Sequence, residues 1–278
     1  MEVKALLREF GLRPKQSLGQ NFLVDEQALS SIVRAADVTA ADIVLEIGPG
    51  LGSLTRQLSA AARQVIAVEV DRTLLPPLRS VLSARSNVTL VEGDILQLDP
   101  AALLAPHLAA ELSAYKVVAN IPYYITSAIL RHLLEAEIKP RLLVLTVQLE
   151  VARRIIAQPD EMNLLAVSVQ FYGRPRLVQR IPAGAFYPAP AVDSAVVRID
   201  LFPEPQTDVQ DVDLFFKVAK AGFGQKRKQL HNALKAGLGR SGEEIDRALV
   251  SAQIDPKRRA ETLTIAEWGS LSDQFSRA

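Results

Sequence analysis

Residues 43–55, IVLEIGPGLGSLT, contain the pattern that decides the fold. The run that ends at Ile47 is apolar except for one residue and predicts a buried β-strand, whereas the segment from Ser53 onward has helical periodicity. Gly48 and Gly50 lie at the turn between them, where bare backbone lets a ligand approach closely. The stretch therefore predicts a cradle for a nucleotide cofactor. A dinucleotide fold uses nearly the same device, although its fingerprint has Gly or Ala where this chain has Ser53.

Four further apolar runs of strand length follow the glycine turn, and helical segments lie between most of them. Strands that are apolar along their whole length are typical of a parallel sheet covered by helices on both faces. We therefore predict a doubly wound, Rossmann-like α/β domain. Two later strands are predicted at residues 164–172, LLAVSVQFY, and 194–202, SAVVRIDLF, with the proline-rich loop FYPAPAVD between them. The four runs are QVIAVEV from Gln64, VTLVEGD from Val88, YKVVANIP from Tyr115 and RLLVLTVQ from Arg141.

The last quarter of the chain follows a different pattern. After Phe202 the segment PEPQTD interrupts the strands, and the sequence from Val212 onward indicates helices joined by turns. We predict a first domain over residues 1–203, with an N-terminal arm over residues 1–20. A smaller, all-helical domain is predicted over residues 204–278.

Acidic residues end the next two predicted strands. Glu69, in VEVD, closes the second strand, where a carboxylate can accept hydrogen bonds from both hydroxyls of a ribose. Asp94, in EGD, follows the third strand on the edge where such sheets hold ligands, and it can accept a hydrogen bond from an adenine amino group. Each acid alone is also compatible with a helix N-cap or a solvated loop. Together with the glycine turn, they favour a cofactor such as S-adenosylmethionine.

The tetrapeptide NIPY, at the end of the fourth strand, indicates catalysis on an adenine amine. The N6 amine is a poor nucleophile because its lone pair is delocalised, and two hydrogen-bond acceptors would favour the localised, tetrahedral geometry. Asn120 offers a side-chain carbonyl, and Ile121 offers a backbone carbonyl on the stretch that Pro122 stiffens. Tyr123 and Phe186 are aromatic residues that could hold an extruded base between them. Singly these residues fit a core or a strand end, so the prediction depends on the complete motif.

Cysteine is absent and histidine is scarce. Without cysteine the chain has no disulfide, no thiolate metal site and no covalent route to carbon-5 of a pyrimidine, and we predict no metal site. The three histidines, His107, His132 and His231, lie outside the motifs. We therefore expect direct attack of the amine on the sulfonium methyl, with the proton passing to solvent afterwards.

The overall charge does not mark a nucleic-acid binder. The chain has 278 residues, 49% hydrophobic and 23% charged, and a formal net charge of +1. Local basic clusters, which are also compatible with ordinary solvated surface, are the candidate RNA contacts: Arg153 with Arg154, and Lys226 with Arg227 and Lys228. No apolar run reaches membrane-spanning length and the start lacks an apolar signal segment, so we expect a cytoplasmic protein.

Together the motifs resemble those of the ribosomal RNA adenine dimethyltransferases over nearly the whole chain. This resemblance implies a class I methyltransferase sheet that uses S-adenosylmethionine, with Tyr123 and Phe186 clasping the target base. The cofactor-binding residues that it implies, together with those indicated above, are Asn21, Leu23, Gly48, Gly50, Glu69, Asp94 and Asn120. The motifs are LGQNFLVD, EIGPGLGSLT with Glu69, GDIL, NIPYYIT, FYPAPAVDSAVVR and FGQKRKQLHNAL.

The FGQKRKQL segment is similar to the housekeeping branch of that family. This branch implies dimethylation of two adjacent adenines in the hairpin near the 3′ end of the small-subunit (16S) RNA, within a pre-ribosomal particle. A monomer is the default expectation, because the sequence does not indicate an oligomeric state. The alternatives are the large-subunit enzymes of antibiotic resistance, a non-catalytic RNA-binding assembly factor and an NAD-linked oxidoreductase. Leu149 stands where the family usually has lysine, and the stretch MNLLAVSVQFY also departs from the family pattern. Both departures put local RNA contacts in doubt.

Overall fold

Strands and helices alternate along the first two thirds of the chain, as the sequence predicts. The computed structural model describes residues 3–107 and 115–276. In these residues the strands are β1 (Phe22–Leu23), β2 (Ile43–Ile47), β3 (Gln64–Glu69), β4 (Val88–Glu92), β5 (Lys116–Asn120), β6 (Leu142–Gln148), β7 (Gly173–Ile181), β8 (Phe186–Tyr187) and β9 (Ser194–Leu201). The α-helices are α1 (Val3–Glu9), α2 (Glu26–Ala35), α3 (Ser53–Ala61), α4 (Leu75–Val81), α5 (Pro100–Leu104), α6 (Thr126–Leu134), α7 (Leu149–Ile155), α8 (Leu164–Gln170), α9 (Val212–Phe223), α10 (Leu230–Leu238), α11 (Gly242–Ser251) and α12 (Ile265–Ser276).

The main sheet has the strand order β4-β3-β2-β5-β6-β9-β7 in the described residues. Neighbours among β2 to β6 pair in parallel, and β9 runs antiparallel to β6, with Leu142 opposite Asp200 and Gln148 opposite Ser194. The five apolar runs predicted as strands are therefore confirmed, and so is the doubly wound α/β class. The strand order reverses at β2, because β3 lies on one side of it and β5 on the other. Sheets of this kind bind ligands beside the carboxyl ends of the strands at such a reversal.

Helices α2 and α3 contribute apolar residues to the core beside β2. Alternate residues of a strand share a face, so Glu46 lies on the same side of β2 as Val44. Both residues are buried. The buried cluster that contains Val44 includes Leu29 and Ile32 of α2 and Leu54 and Leu58 of α3.

The chain divides into two compact units, and the division differs from the predicted one. The first unit contains Met1–Ala152 and Arg176–Leu201, and the second contains Arg153–Pro175 and Phe202–Ala278. A single boundary after residue 203 is therefore wrong for residues 153–175, because the chain enters the second unit twice.

The stretch LLAVSVQFY, predicted as a strand, forms helix α8 instead. The side chain of Asn163 accepts a hydrogen bond from the backbone N–H of Ala166 at 3.1 Å and caps the helix. Just after the helix, the ring of Phe171 stacks on Phe215 of the same unit, with 4.4 Å between ring centroids. A short apolar run fits a buried strand or a buried helix equally well, and here the packing of the second unit decides.

The sequence does not predict β7, whereas SAVVRIDLF is confirmed as β9. The β7 segment GRPRLVQRI contains Pro175 and the exposed residues Arg174, Arg176 and Arg180. Proline and exposed charges are tolerated on an edge strand, which is the place of β7 in the sheet order. Its composition therefore hides the strand from a search for apolar runs.

Helices form the rest of the second unit from Val212 onward, as predicted. Their shared core contains the fully buried Trp268, together with Phe215, Leu230, Leu234, Leu249 and Leu271. None of the helices in the described part of the chain combines the length and the apolar character that crossing a membrane would require.

Candidate active site

A cleft of about 1000 Å³, counted to its open mouth, lies at the carboxyl ends of β2, β3, β4 and β5. The cleft brings together all seven residues predicted to bind the cofactor. They come from separate strand ends and from the N-terminal arm, which in the structure continues through β1 to Leu23. They are Asn21, Leu23, Gly48, Gly50, Glu69, Asp94 and Asn120.

The glycine turn leaves open space toward the cleft. Gly48 has φ +69°, a conformation that favours glycine, and a Cβ placed there would meet only the backbone carbonyl oxygen of Asn120, at 3.9 Å. A Cβ at Gly50 would come within 3.0 Å of the ring of Phe22. The turn therefore requires glycine both for its backbone conformation and for its close contact with the arm.

Glu69 is buried and held rigidly at the end of β3. Its Oε2 accepts a hydrogen bond from the backbone N–H of Gly50 at 3.0 Å, and its Oε1 accepts one from Asp71 N–H at 2.9 Å. Burial raises the pKa of Glu69 in spite of these hydrogen bonds. The glycine turn and the carboxylate of Glu69 thus form one connected structure.

Asp94 caps a turn and also lines the cleft. Its Oδ1 accepts a hydrogen bond from Leu96 N–H at 3.0 Å and caps a short 3₁₀ turn, while the residue also lines the cleft. The capping interaction fixes the carboxylate at the end of β4.

The side chain of Asn120 is oriented by the arm. Its Nδ2 donates a hydrogen bond to the backbone carbonyl of Asn21 at 3.1 Å, which leaves Oδ1 as the remaining polar atom of the amide group. Pro122 has extended backbone angles, φ −60° and ψ 132°. Asn120, Ile121, Pro122 and Tyr123 all line the cleft. An acceptor oxygen is therefore available where the sequence predicts one.

Two further contacts hold Tyr123. Its hydroxyl lies 2.5 Å from Oγ of the buried Ser194, and its backbone carbonyl accepts a hydrogen bond from the Thr126 hydroxyl at 3.1 Å. Burial raises the pKa of the Tyr123 hydroxyl, so it stays neutral near pH 7. Ser194 belongs to the same FYPAPAVDS motif as Phe186, which is the signal that could have found it in the sequence.

Phe186 does not line the cleft. It is 4% exposed, pairs with Leu23 across the β1–β8 ladder, and packs in the buried cluster that contains α2 and α3. The prediction that its ring faces the base slot is therefore not met in this conformation, because the ring is buried in the core.

The N-terminal arm is fastened to the strand ends through Asp71, which the sequence did not single out. The carboxylate of Asp71 accepts hydrogen bonds from Lys15 Nζ and Gln20 Nε2, each at 2.7 Å. Burial opposes ionisation of Asp71, but these contacts and those from Thr73 outweigh it and lower its pKa to about 2. Asp71 therefore holds the arm as an ionised group at neutral pH.

Glu46 also lines the cleft, and the sequence did not indicate it because its strand is otherwise apolar. Burial raises its pKa to about 8. Among the described residues, neither Oε2 of Glu46 nor the hydroxyl of Thr55 has a hydrogen-bond partner.

The predicted basic residues do not line the cleft. Arg153, Arg154, Lys226, Arg227 and Lys228 are exposed and belong to the second unit. None of the three histidines lines the cleft either, and Nε2 of His132 lies 2.9 Å from the carbonyl oxygen of Leu98.

The model of the ribosomal RNA adenine dimethylase family matches residues 11–276. The chain belongs to this family. It is therefore a methyltransferase that uses S-adenosylmethionine, as predicted, and the NAD-linked alternative is excluded. The residues of the cleft fit this cofactor, because a buried carboxylate, Glu69, lies at the strand end suited to a ribose and an open glycine turn adjoins it.

Relatives cover nearly all of the chain. "Ribosomal RNA small subunit methyltransferase A" of Dehalococcoides mccartyi is 47% identical over 97% of this chain and 91% of its own. The protein of the same name from Moorella thermoacetica is 48% identical, over 96% of this chain and 94% of its own.

Two solved structures share the fold. The 23S rRNA methyltransferase ErmE is 28% identical, with a TM-score of 0.72, over 92% of this chain and all of its own. A dimethyladenosine transferase from Plasmodium falciparum has a TM-score of 0.72 at 23% identity, over 92% of this chain and 98% of its own.

Proposed function

We propose that the enzyme transfers methyl groups from S-adenosylmethionine to N6 of two adjacent adenines in the 3′-terminal hairpin of small-subunit (16S) ribosomal RNA, giving N6,N6-dimethyladenosine. The observation that carries the proposal is the oriented amide of Asn120 within the cofactor cleft. The substrate subunit is supported by relatives at 47–48% identity that are named for the small subunit.

The NIPY residues would hold the amine. The side-chain oxygen of Asn120 and the backbone carbonyl of Ile121 accept hydrogen bonds from the two amino hydrogens, which favours the tetrahedral nitrogen of the transition state. Tyr123 presents its ring to the base while Ser194 fixes its hydroxyl. Phe186 would supply the opposite face only if its ring leaves the packing around Leu23 when the base arrives.

The other lining residues would hold the cofactor, which supplies a methyl group activated by a sulfonium. Glu69 accepts hydrogen bonds from the ribose, Asp94 accepts one from the adenine amino group, and Gly48 and Gly50 allow close approach of the chain. Asn21 and Leu23 close the cleft from the arm, and the Asn21 carbonyl also orients Asn120. Because none of the three histidines lines the cleft, the amine proton passes to solvent after transfer.

The second unit would bind RNA through exposed cations. Arg153 and Arg154 form one group, and Lys226, Arg227 and Lys228 form the other. Phosphate contacts of this kind release counterions and make binding depend on salt. We place the enzyme in the cytoplasm, as a monomer acting on a pre-ribosomal particle.

A second candidate substrate is large-subunit RNA, which the structural similarity to ErmE favours at 28% identity. The experiment that separates the two supplies labelled S-adenosylmethionine with small-subunit particles lacking the modification and, in parallel, with naked large-subunit RNA. Mass spectrometry then maps the labelled nucleotide. We expect two adjacent dimethyladenosines in the small-subunit RNA. Label confined to the large-subunit RNA, or no label at all, would overturn the proposal.

A further inference from the structure

Glu46 is a buried acid at the floor of the cleft that the proposed reaction does not use. It is 1% exposed, yet it lines the same cleft as Glu69. Its Oε2 and the nearby hydroxyl of Thr55 have no hydrogen-bond partner in residues 3–107 and 115–276. Leaving one oxygen of a buried carboxyl group without a hydrogen bond costs stability, so its position beside a ligand cleft points to a partner that the ligand supplies.

The surroundings of Glu46 disfavour its charge when no ligand is bound. Burial is the main cause, and the charge of Glu69 on the neighbouring strand β3 adds repulsion, so that the pKa of Glu46 is about 8. On the other sides, the uncharged Thr55 of α3 partly offsets this shift, and β5 contributes the apolar residues Val118 and Ala119. At pH 7 the free enzyme therefore holds Glu46 mostly protonated.

The cofactor changes this balance through its charge. S-adenosylmethionine carries a positively charged sulfonium besides its ammonium and carboxylate groups, whereas S-adenosylhomocysteine, left after methyl transfer, carries a neutral thioether. A positive charge brought into a water-poor cleft favours the ionised form of a nearby buried acid far more than it would in water.

We propose that Glu46 is the counter-charge by which the enzyme prefers S-adenosylmethionine over S-adenosylhomocysteine, and that it releases a proton when S-adenosylmethionine binds. The inference rests on the proposed function, because two methylations of each adenine require the spent cofactor to be exchanged for a fresh one. In this role Glu46 acts through the charge of the cofactor and not on the target adenine of the RNA.

The direction of the pH dependence follows. Binding that releases a proton strengthens as pH rises, so the affinity for S-adenosylmethionine increases from pH 6 and levels off above about pH 8. The affinity for S-adenosylhomocysteine changes less, because no sulfonium is present to favour the ionised carboxylate. The ratio of the two affinities therefore rises with pH.

Isothermal titration calorimetry at pH 7 tests the proposal. Each cofactor is titrated into the full-length enzyme in phosphate and in Tris, and the difference in heat between the buffers gives the protons released. We expect S-adenosylmethionine to release up to about one proton per site and S-adenosylhomocysteine clearly fewer. Glu46→Gln should abolish that difference and reduce the preference for S-adenosylmethionine by roughly tenfold.

The matched control is Glu161→Gln, which removes an exposed carboxylate of the second unit and should change neither quantity. Equal proton release by the two cofactors, or an unchanged preference in Glu46→Gln, would overturn the inference while leaving the methyltransferase assignment intact. Failure of both cofactors to bind the unmodified enzyme would instead refute the proposed cofactor roles, and the inference with them.

A second measurement needs no variant and therefore does not depend on whether Glu46→Gln folds. The ratio of the two affinities is measured for the unmodified enzyme from pH 6 to pH 9. A rise that levels off supports the proposal, whereas a flat ratio overturns it.

Discussion

Two buried acids at opposite ends of β2 have pKa values shifted in opposite directions. Asp42, just before the strand, pairs with Lys116 Nζ at 2.9 Å, contacts Arg141 and accepts a hydrogen bond from Thr39 N–H at 2.7 Å. Burial alone would raise its pKa, but these partners lower it. Glu46, four residues further, has a pKa of about 8 and an unpaired oxygen.

Both side chains are largely removed from solvent, but Glu46 lies deeper than Asp42, so its deeper burial and its lack of a cationic partner within the described residues together make the difference. At the amino end of the sheet the chain neutralises its own charge, which serves stability. At the carboxyl end the chain leaves polar groups for a ligand, which serves binding and catalysis. Variants at the amino end of the sheet should therefore change mainly stability, and variants at the carboxyl end should change mainly activity.

The largest effect is expected from Lys116→Met. This change leaves Asp42 buried with only the half-exposed Arg141 as a cationic partner, and it should lower the free energy of unfolding by about 3 kcal/mol. Urea denaturation measures the loss, and methyl transfer per folded molecule should remain unchanged. Because the Asp42 pKa is lowered, the contribution of the pair is present above about pH 4 and disappears as pH falls. An unchanged free energy of unfolding in Lys116→Met would contradict the stabilising role of the ion pair at the amino end of the sheet.

Asn120→Ala should reduce activity and leave stability nearly unchanged. Removing one acceptor of the amine is expected to reduce kcat by roughly 10²-fold to 10³-fold, because that interaction is strongest in the transition state. Thermal unfolding and RNA binding should stay close to those of the unmodified enzyme. A variant that keeps its turnover would show that the side chain of Asn120 does not hold the amine in the transition state.

Asp71→Asn should weaken the attachment of the arm, with a smaller functional effect than that of Asn120→Ala. The charge-assisted contacts with Lys15 and Gln20 weaken, and we expect the affinity for S-adenosylmethionine to fall roughly tenfold. Hydrogen exchange of residues 15–23 should quicken in parallel, whereas Lys15→Arg should keep both quantities near normal. Because the pKa of Asp71 is about 2, its carboxylate should keep the arm attached above about pH 4. The attachment should weaken as the pH falls below that value. Slow exchange in Asp71→Asn would show that the arm is held by its β1–β8 pairing alone.

Glu46→Gln should change the pH dependence of stability. A raised pKa means that the folded state holds a proton which the unfolded state releases above pH 4.5, so this group costs stability progressively between about pH 4.5 and pH 8. Compared with the unmodified enzyme, the variant should gain stability at pH 8.5 relative to pH 5. Denaturation curves at the two pH values measure the gain. A difference that does not depend on pH would mean that Glu46 is already ionised in the free enzyme.

The sequence by itself determined the parallel strands of the sheet and most of the residues in the cleft. Apolar runs predicted β2 to β6, and the motifs after them predicted Gly48, Glu69, Asp94 and Asn120 in one cleft. These inferences succeed because strand period and turn chemistry are local, and because parallel strands bring their carboxyl ends to one edge.

Only the tertiary structure decided the remaining features. Residues 164–172 contain a helix and not a strand because of packing within the second unit, and Phe186 is buried instead of facing the cleft. The roles of Asp71 and Glu46 depend on which distant groups approach them: Lys15 reaches one carboxylate, and no group reaches Oε2 of the other among the described residues. The pKa of an acid follows from burial and partners, which the chain acquires only on folding.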